Sequence, residues 1–133
     1  MSDDLRVPIE NESDIVTARQ QGRQLAAVRG FSSTEQTLIA TAISEVARNI
    51  VEYARRGEII LRPLERNGYR GILVVARDDG PGIPDIDLAM RDGWTTARSL
   101  GMGLPGARRL MDEFDLESVP GKGTMITMKK WVR

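Results

Sequence analysis

With 133 residues the chain can bury one core but is too short for two, so one domain spanning residues 1–133 is expected. Acidic and basic residues balance at 19 each, which removes the field expected of a nucleic-acid or anionic-membrane binder. Cysteine and histidine are both absent, which excludes disulfides, thiolate or imidazole metal sites, Ser-His triads and histidine phosphorylation within these residues.

The first residues, Met1 to Arg6, show no basic start followed by an apolar run, so no signal peptide is expected. No apolar run approaches the roughly 20 residues that cross a bilayer, and a cytoplasmic protein is the expectation. Residues 4–10 partly alternate apolar and polar positions, as a half-buried strand does, and Pro8 places that strand at a sheet edge. Asn11 to Ser13 offer caps for a helix whose inward face is predicted to hold Ile15, Ala18, Gly22, Leu25, Ala26 and Val28. Gly30 closes it, and Phe31 is expected at the corner. Ser32 or Ser33 caps a second helix over residues 34–55, with Glu35 and Gln36 placed to return a capping bond and Gly57 as its end. Its apolar face holds Leu38, Ile39, Ala42, Ile43, Val46, Ala47, Ile50 and Val51.

Residues 58–64 and 70–77 are predicted strands joined by a turn at Arg66, Asn67 and Gly68. The second is predicted to be central, because Ile72 to Ala76 are continuously apolar. From Asp78 to Gly106 the texture changes to glycine, proline, Asp and Thr, a long connection with one short helix over Ile86 to Met90. Leu104 to Phe114 follows a helical pattern. Residues 115–119 and 124–132 close the chain as a hairpin turning at Pro120 to Gly123. The sum is an α+β two-layer sandwich, its sheet mixed but mostly antiparallel, with helices on one face.

Three short motifs carry chemistry. On the second helix, Glu45 and Asn49 are four residues apart and share a face, beside the apolar stripe 39, 43, 46, 50. Such a pair, taken alone, is more often two solvated surface residues. As functional groups, Asn offers a neutral oxygen to a hard cation whose charged ligands are phosphates. Glu can take the proton of an attacking hydroxyl.

The second motif is Asp78, Asp79, Gly80, Pro81 and Gly82, at the end of the central strand. A carboxylate there can accept from the exocyclic amine of adenine and would repel the carbonyl of guanine. Gly80 and Gly82 let backbone approach the ring or take positive φ; Asp79 is expected to be exposed. The competing reading is a plain Asp-Gly-Pro-Gly turn. The third motif is Gly101, Met102, Gly103, Leu104, Pro105 and Gly106, at the start of a helix, where backbone amides and the helix dipole favour an anion. A ligand-free glycine cap competes with that. No Gly-Lys-Ser/Thr follows, so it is not a Walker A loop.

In this order, the three motifs resemble the Bergerat-type ATP-binding fold shared by gyrase, MutL and the histidine kinases. Within that superfamily the chain is similar to the small bacterial serine/threonine switch kinases of stressosomes and to the anti-sigma factor kinases. The likeness runs from Ile15 to Gln20, through Thr41 to Glu45 and Asp78 to Ile83, to Met111 to Phe114. The resemblance implies that Glu45 is the general base and Asn49 the magnesium ligand. It also implies that Asp78, Gly80 and Gly82 hold adenine, that Thr124 contacts it, usually through water, and that Gly101, Met102, Gly103 and Leu104 hold phosphate. Residues 85–100 would form a lid, with Arg98 chosen over Thr95, Thr96 and Ser99 for the γ-phosphate; a solvated surface arginine is the alternative. The implied cofactors are ATP and Mg2+. The implied partners are a STAS-domain substrate and a PPM-type phosphatase, with no nucleic acid and no membrane. An anti-sigma factor kinase and a nucleotide-gated binding module with little catalysis are the competing functions, beside an α+β protein that binds no ATP.

Overall fold

The computed structural model describes residues 4–83, 90 and 103–133. In chain order the elements are β1 (Leu5–Ile9), α1 (Glu12–Val28), α2 (Ser33–Tyr53), β2 (Gly57–Arg66) and β3 (Tyr69–Asp78). They continue with α3 (Gly103–Leu110), β4 (Glu113–Val119) and β5 (Gly123–Trp131). The strands form one sheet in the order β1-β2-β3-β5-β4, and all four pairings are antiparallel. Pro8 does lie in an edge strand, and β3 is central.

Helix α1 starts at Asn11, whose side chain accepts from Asp14 N–H at 3.1 Å. The Asp14 carboxylate accepts in return from Asn11 N–H at 3.3 Å. Ile15, Ala18, Gly22 and Ala26 face inward as expected, but Val28 is 79% exposed. It stands two residues beyond Ala26, about 200° round the helix, and so leaves the buried stripe.

Helix α2 is capped by Ser32, whose hydroxyl accepts from Glu35 N–H at 3.1 Å. It ends at Tyr53 rather than at Gly57. Ala54 is its cap, and Arg55 takes the left-handed turn at φ 72. Gly57 instead opens β2, because a Cβ there would stand 2.3 Å from the Arg77 carbonyl oxygen. Strand pairing, not helix termination, explains that glycine.

The β2–β3 turn is the two residues Asn67 and Gly68, both at positive φ (53 and 83), the geometry that matches the twist of a tight hairpin. From Ile39 to Ile50 α2 is buried almost all round, held between the sheet, α1 and α3. Ile39, Ile43, Val46 and Ile50 meet Ile59, Leu61, Ile72, Val74, Ile126 and Met128 in one core. Each such side chain contributes about 1.5–3 kcal/mol of burial.

Phe114 belongs to β4, not to the helix that the sequence pattern extends to it. The helix stops at Leu110, whose carbonyl accepts from Lys130 Nζ at 2.9 Å. Asp112 N–H then donates to the Lys129 carbonyl at 2.9 Å, drawing the chain onto β5. The expected short helix over Ile86 to Met90 lies outside the described residues except for Met90, which packs against the core.

Candidate functional site

Glu45 and Asn49 are 4% and 8% exposed, so the surface reading of this pair fails. Both lie on the length of α2 that is buried on nearly every side, where a polar side chain persists only with a partner or a ligand. Arg48 Nη1 stands 3.7 Å from Glu45 Oε1, an ion pair one turn along the helix.

Asp78 closes β3 on the helix-covered face of the sheet and is 8% exposed. Its carboxylate accepts from Gly80 N–H at 2.9 Å and from Thr124 N–H. Burial pushes this carboxyl above its ordinary range. The two N–H bonds oppose the rise, and the charge of neighbouring Asp79 adds to it. Two bonds leave a carboxylate with unused lone pairs, so Asp78 can accept another hydrogen. Asp79 is exposed, as expected. A cleft of about 510 Å³ opens onto Asp78 between Ala54, Gly57 and Arg77.

The glycines after Asp78 serve two different packings. Gly82 has φ 80 and lies so close to the Val119 carbonyl that a Cβ would stand 2.6 Å from its oxygen. Gly80 approaches the end of α2, where a Cβ would stand 2.6 Å from that of Ala54. The loop after Asp78 thus packs against both the end of α2 and β4.

Thr124 is Asp78's cross-strand partner on β5, and Ser118 is Thr124's partner on β4. The three form one polar row across the sheet end. Thr124 is 6% exposed, with its Oγ1 3.0 Å from Ser118 Oγ. Sequence reasoning missed Ser118. Its only signal is an inward position in the alternation of β4, which the helical reading of Phe114 obscured.

At the start of α3, Gly103 takes φ 55, and Leu104 is 2% exposed in the core. Leu104 therefore offers an anion only its main chain. Gly101, Met102, Arg98 and the other lid residues, Thr95, Thr96 and Ser99, lie outside the described residues.

The fold, a helix-backed antiparallel sheet with this polar end, is the architecture of a histidine kinase-like ATPase domain. The model of that family matches residues 7–130, and the chain belongs to it. Over all 133 residues, covering both chains completely, it is 51% identical to the serine/threonine-protein kinase RsbT of Bacillus subtilis (strain 168). It is a protein serine/threonine kinase of the RsbT type, and nucleotide binding goes with the family.

The anti-sigma F factor of Caldanaerobacter subterraneus subsp. tengcongensis is 36% identical over 100 residues, 71% of this chain and 68% of that one. Among solved structures, the RsbU and RsbW domains of a Mycobacterium tuberculosis protein match with a TM-score of 0.66 and 20% identity. That match covers 96% of this chain and 32% of the other. The SiaB–SiaC complex of Pseudomonas aeruginosa matches with a TM-score of 0.58 and 15% identity, over 97% and 89%. These two likenesses show the fold alone.

Proposed function

We propose that this kinase transfers phosphate from ATP to a serine or threonine of a STAS-domain scaffold or antagonist protein, and then activates a PPM-type phosphatase. The observation that carries the catalytic half is the buried pair Glu45 and Asn49 on α2, in a protein whose family binds ATP.

ATP supplies the phosphoryl group, and magnesium neutralises charge on its phosphates. Asp78 accepts from the adenine amine and rejects guanine's carbonyl, while Gly80 and Gly82 fold the loop that holds it. Asn49 is the residue that would give magnesium one neutral oxygen. Among the described residues no group of three or more acidic, Cys or His side chains could hold a metal. The family resemblance assigns Gly101, Met102, Gly103 and Leu104 to the phosphates and Arg98 to the γ-phosphate. Glu45, oriented by Arg48, takes the proton of the incoming hydroxyl.

The partner half rests on end-to-end identity with an RsbT kinase. A phosphate brings about −1.5 to −2 charges to an interface, which breaks it by repulsion and desolvation and frees the kinase for its next partner. No helix among the described residues is long and apolar enough to cross a membrane, and we place the exchange in the cytoplasm. The 36% identity to an anti-sigma F factor supports a second reading, a kinase that also sequesters a sigma subunit.

The test is transfer from labelled MgATP to a co-encoded STAS-domain protein. Label should appear on serine or threonine and fall by about 10²–10⁴-fold in Glu45→Ala, with ATP binding retained. Undiminished transfer in the variant would remove Glu45 as the base. Absence of label in a wild type that binds ATP would leave a nucleotide-gated binding module.

A further inference from the structure

At the far end of the sheet from Asp78 an aromatic platform is held from three sides, and nothing in the proposed phosphoryl transfer uses it. The Trp131 ring covers Gly71, its cross-strand partner on β3, where a Cβ would stand 2.6 Å from Cε3. Its indole N–H donates to Glu113 Oε2 at 2.8 Å, and the Arg66 guanidinium stands 4.6 Å from the ring centroid. A ring fixed by glycine, carboxylate and cation has little rotamer freedom left to lose when a partner binds. Beside it Tyr69 is 62% exposed. Arg66, Asn67, Tyr69 and Trp131 line a notch of about 190 Å³. Trp, Tyr and Arg are the side chains that carry most of the binding energy in protein interfaces.

Charge decides what kind of surface fits the notch. Acidic and basic residues balance over the whole chain, but here Arg29, Arg66, Arg70 and Lys129 stand against only Glu65 and Glu113. Arg66 Nη1 reaches Glu113 Oε2 at 3.3 Å, a long contact, and its side chain remains 52% exposed. Most of its five donors are therefore open to a second carboxylate, which a guanidinium binds as a two-pronged fork. The occupant this favours is an acidic segment with an apolar side chain beside its carboxylate. Position decides between partners. Trp131 is seven residues along β5 from Thr124, about 23 Å at 3.3 Å per residue. A protein that offers a hydroxyl to ATP must engage the Thr124 end, whereas a protein that is only activated need not.

We infer that the notch of Arg66, Tyr69 and Trp131 is the docking surface for the phosphatase. An acidic segment of that partner places a carboxylate on Arg66 and an apolar side chain against Tyr69 and the Trp131 ring. The surface lies apart from the ATP site, so catalysis and phosphatase binding occupy opposite ends of one strand. This rests on the proposed exchange of partners.

The test measures two things on each variant: calorimetric affinity for the co-encoded PPM-type phosphatase, and phosphotransfer to the STAS-domain protein. Tyr69→Ala and Arg66→Gln should each weaken phosphatase binding at least about tenfold, the loss expected at an interface hot spot. Tyr69→Phe, which keeps the ring, should bind as wild type does. Salt should weaken the wild-type complex more than that of Arg66→Gln, because one screened charge pair is gone. Phosphotransfer should stay within about twofold of wild type in all three, which also shows that they fold. Phosphatase affinity that survives both Tyr69→Ala and Arg66→Gln overturns the inference while leaving the partner exchange in place. Phosphotransfer that falls in step with phosphatase affinity overturns it too, because the notch would then serve the substrate or the fold. A wild-type dimer that Tyr69→Ala splits would assign the notch to a second copy of the chain and overturn it as well. A wild type that phosphorylates its substrate but binds no phosphatase overturns the inference together with the phosphatase half of the proposed function.

Discussion

Burial holds the Asp78 carboxyl above its ordinary range although two backbone N–H groups bind it. The ionised form that the proposed adenine contact needs is therefore the form the fold disfavours. For a carboxylate raised in the folded state, the associated stability is present below the unfolded pKa and lost as pH rises through the folded one. At neutral pH the charge on Asp78 thus costs stability. Asp78→Asn should raise the melting temperature at neutral pH while weakening adenosine binding at least about tenfold. Adenosine is the useful probe because no phosphate titrates with it. Wild-type affinity should fall as pH drops through a pKa above the usual carboxylate range, and the Asn variant should lack that limb. A calorimetric titration in which both proteins show the same pH profile would assign the limb to another group. Glu45, Asn49 and Asp78 stand out in the sequence as candidates because their pattern is local: two polar residues one turn apart, and an acid before two glycines. Ser118 does not, because its place in the polar row depends on a cross-strand partner.

Elements were legible where one period dominates, and less so where two fit. The α1 cap, the apolar face of α2 and the Asn67–Gly68 turn follow from short-range rules. The stretch after Gly103 carries Leu104, Ala107, Met111 and Phe114 at helical spacing, and it also carries Phe114, Leu116 and Ser118 at strand spacing. What decides between them is Lys130, distant in sequence. It is only 7% exposed and donates to the last carbonyl of α3. A cation at a helix C-terminus satisfies an orphan carbonyl and complements the dipole. Lys130→Met keeps the apolar stem and removes the donor. It should cost about 1–3 kcal/mol, the penalty of a buried carbonyl left unpaired, read as a lower urea midpoint at unchanged slope. A variant that unfolds at the wild-type midpoint would mean that the helix ends at Leu110 for reasons of local sequence alone.

At the scale of the molecule, β5 joins two polar ends of opposite electrostatic sense. Thr124 lies beside Asp78, and seven residues on Trp131 N–H donates to Asp112 at 2.8 Å. Burial alone would push the Asp112 carboxyl up. The Trp131 bond, the Arg133 guanidinium and the charge of Lys130 outweigh it and hold the group below its ordinary range. Glu113 is also held low, first by the Trp131 indole N–H at 2.8 Å and then by Arg66 and Lys129. A carboxylate depressed in the folded state contributes stability above its unfolded pKa and loses it as pH falls through the folded value. The stability that these two carboxylates supply should therefore be constant between about pH 5 and 8 and be lost below about pH 4. Asp112→Asn should melt lower than wild type at neutral pH, with the gap closing as acid protonates Asp112 in both folded and unfolded chains. Asp78→Asn should behave in the opposite way, gaining most at neutral pH and least in acid. Melts of the three proteins across that range separate the two ends of the strand. A gap for Asp112→Asn that stays constant with pH would mean that its hydrogen bonds, not its charge, fasten β5 to the start of β4.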